Sequence, residues 1–197
     1  VWRIYLSAMT DLPILLPARG PRPDPSDFSR APERPLFDLL ERLGLETTTV
    51  SHAPVFTVAE GAGIKDGLPG GHSKNLFMKD KKGVLVLASA WQDSVLPLNR
   101  LHRVLNCQRL SFTDADLLWQ ALGVTPGSVT AFALVNDRPP RVRFVLDTAL
   151  AAFGTMNFHP LRCDRTTSIS VKDFMAFAAA TGHKVELVDF AQIGSGD

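Results

Sequence analysis

Half of this chain's 14 prolines are crowded into its first 35 residues: Pro13, Pro17, Pro21, Pro23, Pro25, Pro32 and Pro35. Proline locks φ and removes a backbone donor, so neither a helix interior nor a central strand can form through such a run. The stretch PARGPRPDPSDFSRAPERP, from Pro17 to Pro35, reads as an extended or wrapping arm. The expected organisation is an arm over residues 1–34, a domain over 35–190 and a tail over 191–197. Val1 opens the sequence with Met9 close behind, and the first few residues are expected to stand outside the working fold. No role is assignable to the arm, and removing residues 1–30 is expected to change activity little.

From Pro35 the apolar pattern becomes regular. Leu36, Leu39, Leu40 and Leu43 recur at helical spacing, Pro35 suits a first helical position, and Gly44 supplies a stop. Thr47–Ser51 is a β-branched run that predicts a strand, followed by the loop HAPVF and a short helix over residues 58–62. The glycine-rich GLPGGHS breaks regular structure. Asn75–Met78 and Val84–Ala88 flank the polar turn DKKG as a hairpin. Leu98, Leu101, Val104 and Leu105 outline a second helix. Thr113 with Asp116 resembles a capping box opening a third, which Gly123 closes. Val129–Val135 and Val142–Leu146 predict another hairpin turning at NDRPP. A helix opens at Asp147, the last one runs from a cap at Ser170 to Gly182, and Val185–Val188 closes the chain as a strand. Hairpins mixed with scattered helices predict an α+β fold, one compact domain with a curved mixed or antiparallel sheet flanked by helices. A chain of 197 residues can bury a core of its own without a disulfide or metal staple.

Composition narrows the function classes. Lys+Arg 21 against Asp+Glu 20 leaves a net charge of +1, which argues against a generally basic nucleic-acid coat, so a polyanion would have to meet a local patch. Cys107 and Cys163 form no CxxC or Cys/His cluster, so neither a disulfide framework nor a zinc site is expected, and the default setting is reducing and cytoplasmic. The longest apolar runs are far shorter than the roughly 20 residues a membrane helix needs. The opening residues lack the pattern of a secretory signal.

Two segments attract attention for chemistry. GLPGGHSK, ending at Lys74, could let backbone N–H groups approach a phosphate, but it lacks the Walker pattern, because His72 follows Gly71 and a strand follows Lys74. Its alternative reading is a flexible connector with a solvated lysine. In GTMNFHP, Asn157 and His159 alternate with Phe158 and would share one face of a strand, able to hold a carbonyl, a hydroxyl or a water. The alternative is a buried histidine bonded to backbone. His52, His72, His102 and His183 show no metal-ligand spacing. No GxSxG elbow is present, and Ser128 reads as a turn residue. The cysteines read as small core or half-buried residues. Three basic groups stand out: Lys79, Lys81 and Lys82; Arg100 and Arg103; and Arg138, Arg141 and Arg143. They are solvated tips, or a phosphate track if they share one side.

Taken in order, HAPVFTV from His52, SKNLF from Ser73, KDKKG from Lys79, LLWQALGVTPGSVTAFAL from Leu117, NFHP from Asn157 and ATGH from Ala180 resemble the YbaK/prolyl-tRNA-synthetase-associated editing-domain family. The resemblance is close to its free-standing ProX-type deacylases, which clear alanine mischarged on proline tRNA, and spans about Pro35 to Phe190. It implies an α+β fold and hydrolysis of an aminoacyl ester at the tRNA 3′ end, with no metal and no cofactor. Lys74 matches the family's functional lysine and Asn75 follows it. Gly127 and Ser128 begin the loop that lies against the substrate, and Asn157 and His159 complete the pocket. Lys74, Asn75 and His159 are thereby the implied catalytic residues. Ala131 stands where that loop usually ends in proline, which makes the loop less rigid. Phe56 and Val58 are candidate walls of a small amino-acid pocket, or ordinary core residues. The implied partners are mischarged tRNA through its 3′ acceptor end, with prolyl-tRNA synthetase or an elongation factor as further candidates and no membrane. Same-chemistry alternatives are cysteinyl- or seryl-tRNA. Outside that chemistry stand a non-catalytic module binding tRNA or a synthetase and, more weakly, a protein that binds a free amino acid or nucleotide.

Overall fold

The computed structural model describes residues 19–27, 30, 32–54, 68–96 and 98–194. The leucine spacing after Pro35 produces α1 (Arg34–Arg42), with proline in its first turn and Leu36, Leu39 and Leu40 buried. Gly44 takes φ +65 just past its end, the left-handed conformation that glycine adopts without penalty. The strands are β1 (Thr47–Ser51), β2 (Gly71–Lys79), β3 (Leu85–Trp91), β4 (Ser111–Phe112), β5 (Val142–Asp147), β6 (Thr155–Phe158), β7 (Arg165–Ser170) and β8 (Val185–Val188). The remaining helices are α2 (Leu98–Val104), α3 (Ala115–Leu122), α4 (Thr148–Ala151), α5 (Val171–Ala180) and α6 (Phe190–Gly194).

The strands make one mixed sheet in the order β1-β7-β6-β2-β3-β5-β8, with β4 paired to β2. β2 is antiparallel to β3 and parallel to β6. β5 runs parallel to both β3 and β8. The expected α+β class with a mixed sheet and flanking helices holds.

Alternation along each strand sends neighbours to opposite faces. Phe77, Leu85, Leu87, Phe144 and Phe158 join α1, α3 and α5 in the larger core, where Phe132 packs edge-on against Phe158 and Phe177 at 5.4 and 5.5 Å. On the other face Met78, Val86, Ala88 and Ala90 meet Leu101 and Leu105 beside α2 and Phe190 and Ile193 of α6. The apolar row of β2 on this second face stops at Leu76, and Lys74 and His72 continue it.

Several expectations are corrected. Val129–Val135 does not pair with Val142–Leu146. Ala131–Asn136 is a 3-10 helix, capped when Thr130 Oγ1 accepts from Phe132 N at 3.2 Å, with Ala131 to Val135 all buried. A run that is apolar on every side suits a helix turn inside the core, whereas β5 takes parallel partners on both sides, which bury all of it but Arg143. The glycine-rich segment does not break structure to its end, because Gly71, His72 and Ser73 already belong to β2. Gly71 is a packing glycine: a Cβ there would lie 2.7 Å from Phe153 and 2.8 Å from Leu150. α3 is capped by Asp114, which accepts from Leu117 N at 2.7 Å, rather than by Thr113. β4, β7 and α6 are not foreshadowed by any local pattern. The short helix expected over residues 58–62 lies outside the described residues.

Where described, the arm does wrap. Arg19 donates through N and Nε to Gln120 and through Nη2 to Asn136 O, Trp119 Nε1 donates to Gly20 O, and Arg22 pairs with Asp116.

Candidate functional site

β2 positions the lysine. Lys74 lies opposite Ala90 of β3, and its ammonium donates to Ser94 O in the turn that follows β3. That turn is held by Asp147, which is 1% exposed at the end of β5. Asp147 Oδ2 accepts from Ser94 Oγ at 2.6 Å and from Trp91 N at 3.1 Å, while Oδ1 accepts from Ala149 N at 3.0 Å to open α4. Partial burial pulls the Lys74 pKa below its ordinary value, and the carboxylates of Asp93 and Asp147 oppose that pull. The result is a cation held at a fixed carbonyl, with two anions nearby to keep it protonated.

Asn75 points to the opposite, packed face. Its Oδ1 accepts from Ser89 Oγ at 2.6 Å and its Nδ2 donates to Ser73 Oγ at 3.2 Å, and Ser73 Oγ in turn donates to Asn157 O at 2.8 Å. This polar ladder stitches β2 to β3 and β6.

The parallel register joins the second half of the site to the first. Gly71 pairs with Met156 and His72 with Asn157. Two residues beyond the last pair lie Lys74, still within β2, and His159, just past the end of β6. Asn157 is 2% exposed, donates to Pro69 O at 3.2 Å and accepts from Ser168 Oγ, which fixes the loop before β2 over the end of β6.

His159 sits one residue past β6. Its Nδ1 lies 2.9 Å from Arg165 O, and because a carbonyl can only accept, that nitrogen carries the hydrogen. Neutral imidazole then keeps a lone pair on Nε2. Burial pushes the His159 pKa below its ordinary value; the bond to Arg165 O and the charge of Asp164 work against this, and His52 adds to it. The His52 ring stands 6.2 Å away, tied by Nδ1 to Ala53 O and by Nε2 to Thr166 Oγ1.

Gly127 takes φ +87, as a turn glycine should. Ser128 is buried and lines a cavity of about 60 Å³ with arm residues Pro23 and Asp24, Trp119, Leu161 and Arg162. Lys74, Asn75 and Asn157 are not among the residues of that cavity. Phe56 and Val58 lie outside the described residues. Among the described residues no group of three His, Cys, Asp or Glu is placed to hold a metal ion, and no helix is long and apolar enough to cross a membrane. Cys163 is buried and Cys107 half-buried, as expected. The third basic group is largely spent, Arg141 on Asp137 and Arg143 on Glu186.

Sequence reasoning reads Asp147 only as a helix opener and passes over Ser94. The available signal is an acidic residue that ends an apolar strand and also caps the helix after it. Nothing local links it to Lys74.

The model of the family described as "Aminoacyl-tRNA editing domain" matches residues 52–177. The Danio rerio protein named prolyl-tRNA synthetase associated domain-containing protein 1 is 36% identical over 157 residues, 79% of this chain and 85% of its own. The prolyl-tRNA editing protein ProX of Acetoanaerobium sticklandii is 29% identical over 153 residues, 76% of this chain and 92% of its own. A solved structure provisionally described as a trans-editing enzyme for prolyl tRNA synthetase superposes with a TM-score of 0.63 at 20% identity, covering 81% of this chain and 96% of that one.

Proposed function

This chain belongs to the aminoacyl-tRNA editing domain family, and from that premise we propose that it hydrolyses the ester joining a wrongly attached amino acid to tRNA, with alanine on proline tRNA as the preferred substrate. The observation that supports the reading is a lysine on β2, Lys74, anchored to Ser94 O, together with a histidine, His159, just past the parallel strand β6, whose Nδ1 is held by Arg165 O.

An aminoacyl ester is intrinsically reactive, so orientation and charge stabilisation suffice without a protein nucleophile. In this reading water attacks the ester carbonyl, and its proton passes to His159 Nε2 or to the neighbouring ribose hydroxyl. The developing oxyanion meets the Lys74 ammonium. The carbon–oxygen bond to the ribose then breaks, and the ribose oxygen takes up the proton. Ser94 and Asp147 hold the lysine in place, Asn157 shapes the pocket floor, and Asn75 keeps β2 in register rather than touching substrate. The loop at Gly127 and Ser128 takes the terminal nucleotide, with Thr130 supplying part of the rigidity that Ala131 in place of proline removes. The partner is the 3′ end of mischarged tRNA, delivered free or by prolyl-tRNA synthetase or an elongation factor.

A hydrophobic pocket separates side chains differing by one methylene by only about 1–3 kcal/mol, so a synthetase built for proline needs a second, smaller sieve. Incubation with proline tRNA charged with alanine, cysteine, serine or proline tests the proposal. Alanine is expected to be released fastest and proline spared, and Lys74→Ala is expected to abolish the release. Loss of no ester beyond the buffer rate, or loss indifferent to Lys74→Ala, would sink it. Faster release of cysteine or serine would reassign the sieve.

A further inference from the structure

The connection over residues 159–164, between β6 and β7, begins with His159 and is held in an unfavourable shape. Leu161 takes φ +65 while only 3% exposed. A bulky residue stays in the left-handed region only where its surroundings over-determine it. Arg162 supplies much of that restraint. Its Nε and Nη2 donate to the two carboxylate oxygens of Asp164 at 2.6 Å each, and Asp164 O accepts from His52 N at 3.0 Å.

The remaining restraint comes from the arm. Arg162 Nη1 donates to Arg30 O and to Glu33 Oε1, both at 3.2 Å, and Arg165 Nη1 donates to the same Glu33 Oε1 at 3.2 Å. Arg165 is also the residue whose carbonyl accepts from His159 Nδ1. Glu33 is 5% exposed and gives α1 no side-chain cap, and one carboxylate oxygen, Oε1, serves both arginines. It lies outside the segment, 52–177, that the family model matches.

We propose that Glu33 is a positioning residue for His159: through Arg162 and Arg165 it clasps the strained connection and fixes the carbonyl that sets the histidine's tautomer. The proposal rests on the deacylase reading of the site. Without the clasp Leu161 relaxes, Arg165 O moves and the imidazole loses its single orientation. Chemistry would then suffer while tRNA binding would not.

The test uses the full chain carrying Glu33→Ala, with deacylation kinetics and nitrogen NMR of the His159 ring, assigned through His159→Gln. The expected result is kcat lowered about tenfold or more with KM within about twofold, since small misplacements of a reacting group are costly. The ring, protonated on Nδ1 in the native chain, is expected to become a mixture of tautomers. Glu33→Gln, which keeps an acceptor oxygen, should bring kcat back to within about threefold of native. If Glu33→Ala does not fold, Arg165→Ala, at a side chain 37% exposed, is expected to change the same ring signal and lower kcat. A native ring signal in the folded variant overturns the proposal whatever the rate, and so does a changed ring with native kcat. A native chain that releases no amino acid defeats the deacylase reading instead, and the ring signal still decides the clasp.

Discussion

In the proposed mechanism His159 can accept a proton only when neutral, and its surroundings determine when that is. Burial and His52 lower its pKa from the ordinary 6.5, against the bond to Arg165 O and the charge of Asp164. The acid limb of kcat/KM for deacylation is therefore expected below pH 6.5, after subtraction of the buffer rate; a limb above that value would contradict the assignment. Asp137 plays the structural counterpart. Burial works to raise its pKa, yet the bond from His183 Nε2 and those from the backbone N–H groups of Arg141 and Val142 outweigh burial and hold it low. A carboxylate with a depressed folded pKa contributes stability that is present above its unfolded value, about 3.9, and lost as pH falls through the folded one. Asp137→Asn is expected to cost about 3 kcal/mol in urea unfolding at neutral pH, because it takes the buried carboxylate away from the Arg141 guanidinium. The cost should shrink below about pH 4. Lys74, Asn157 and His159 could be singled out from sequence because their motifs are contiguous. Asp147, Ser94 and Glu33 could not, because each acts on a residue far away in the chain.

At the scale of elements, local signals transfer well where the element is bounded by its own neighbours. Gly44, Gly123 and Gly182 all stop helices at positive φ, and Ser170 caps α5 by accepting from Asp173 N at 3.0 Å. They fail where tertiary partners decide. β7, RTTSIS, carries no apolar period, yet it sits between β1 and β6 with its hydroxyls bonded across the sheet, Thr167 to Thr49 at 2.8 Å among them. The 3-10 helix over residues 131–136 is apolar almost throughout and reads as a strand in sequence, since short apolar runs do not distinguish the two. The entry to β2 shows the cost of that dependence on neighbours. Gly71→Ala is expected to destabilise the fold by about 1–3 kcal/mol through overpacking against Phe153 and Leu150, measured by urea unfolding. A neutral result would mean that the Phe153 ring yields freely.

Across the whole molecule, the arm changes most in meaning. Arg19, Gly20 and Arg22 dock on α3, Arg30 stands 5.8 Å over the Trp119 ring, and Glu33 grips the β6–β7 connection. Removal of residues 1–30 is now expected to lower Tm by several degrees, about 2–4 °C for each kcal/mol lost in a chain of this size, as calorimetry would show. An unchanged Tm would return the arm to a passive appendage. Prolines and apolar spacing determined on their own that a first helix starts near Pro35, that the fold is α+β, where most helices and strands begin and end, and which motifs carry the family likeness. Only the tertiary structure decided that β2 and β6 run side by side, that Asn75 is tied to Ser89 and Ser73, and that Glu33 reaches Arg162 and Arg165. Periodicity records which side of a local element avoids water. Strand order, register and long-range ion pairs depend instead on which distant faces bury one another, and no window of neighbouring residues contains that information.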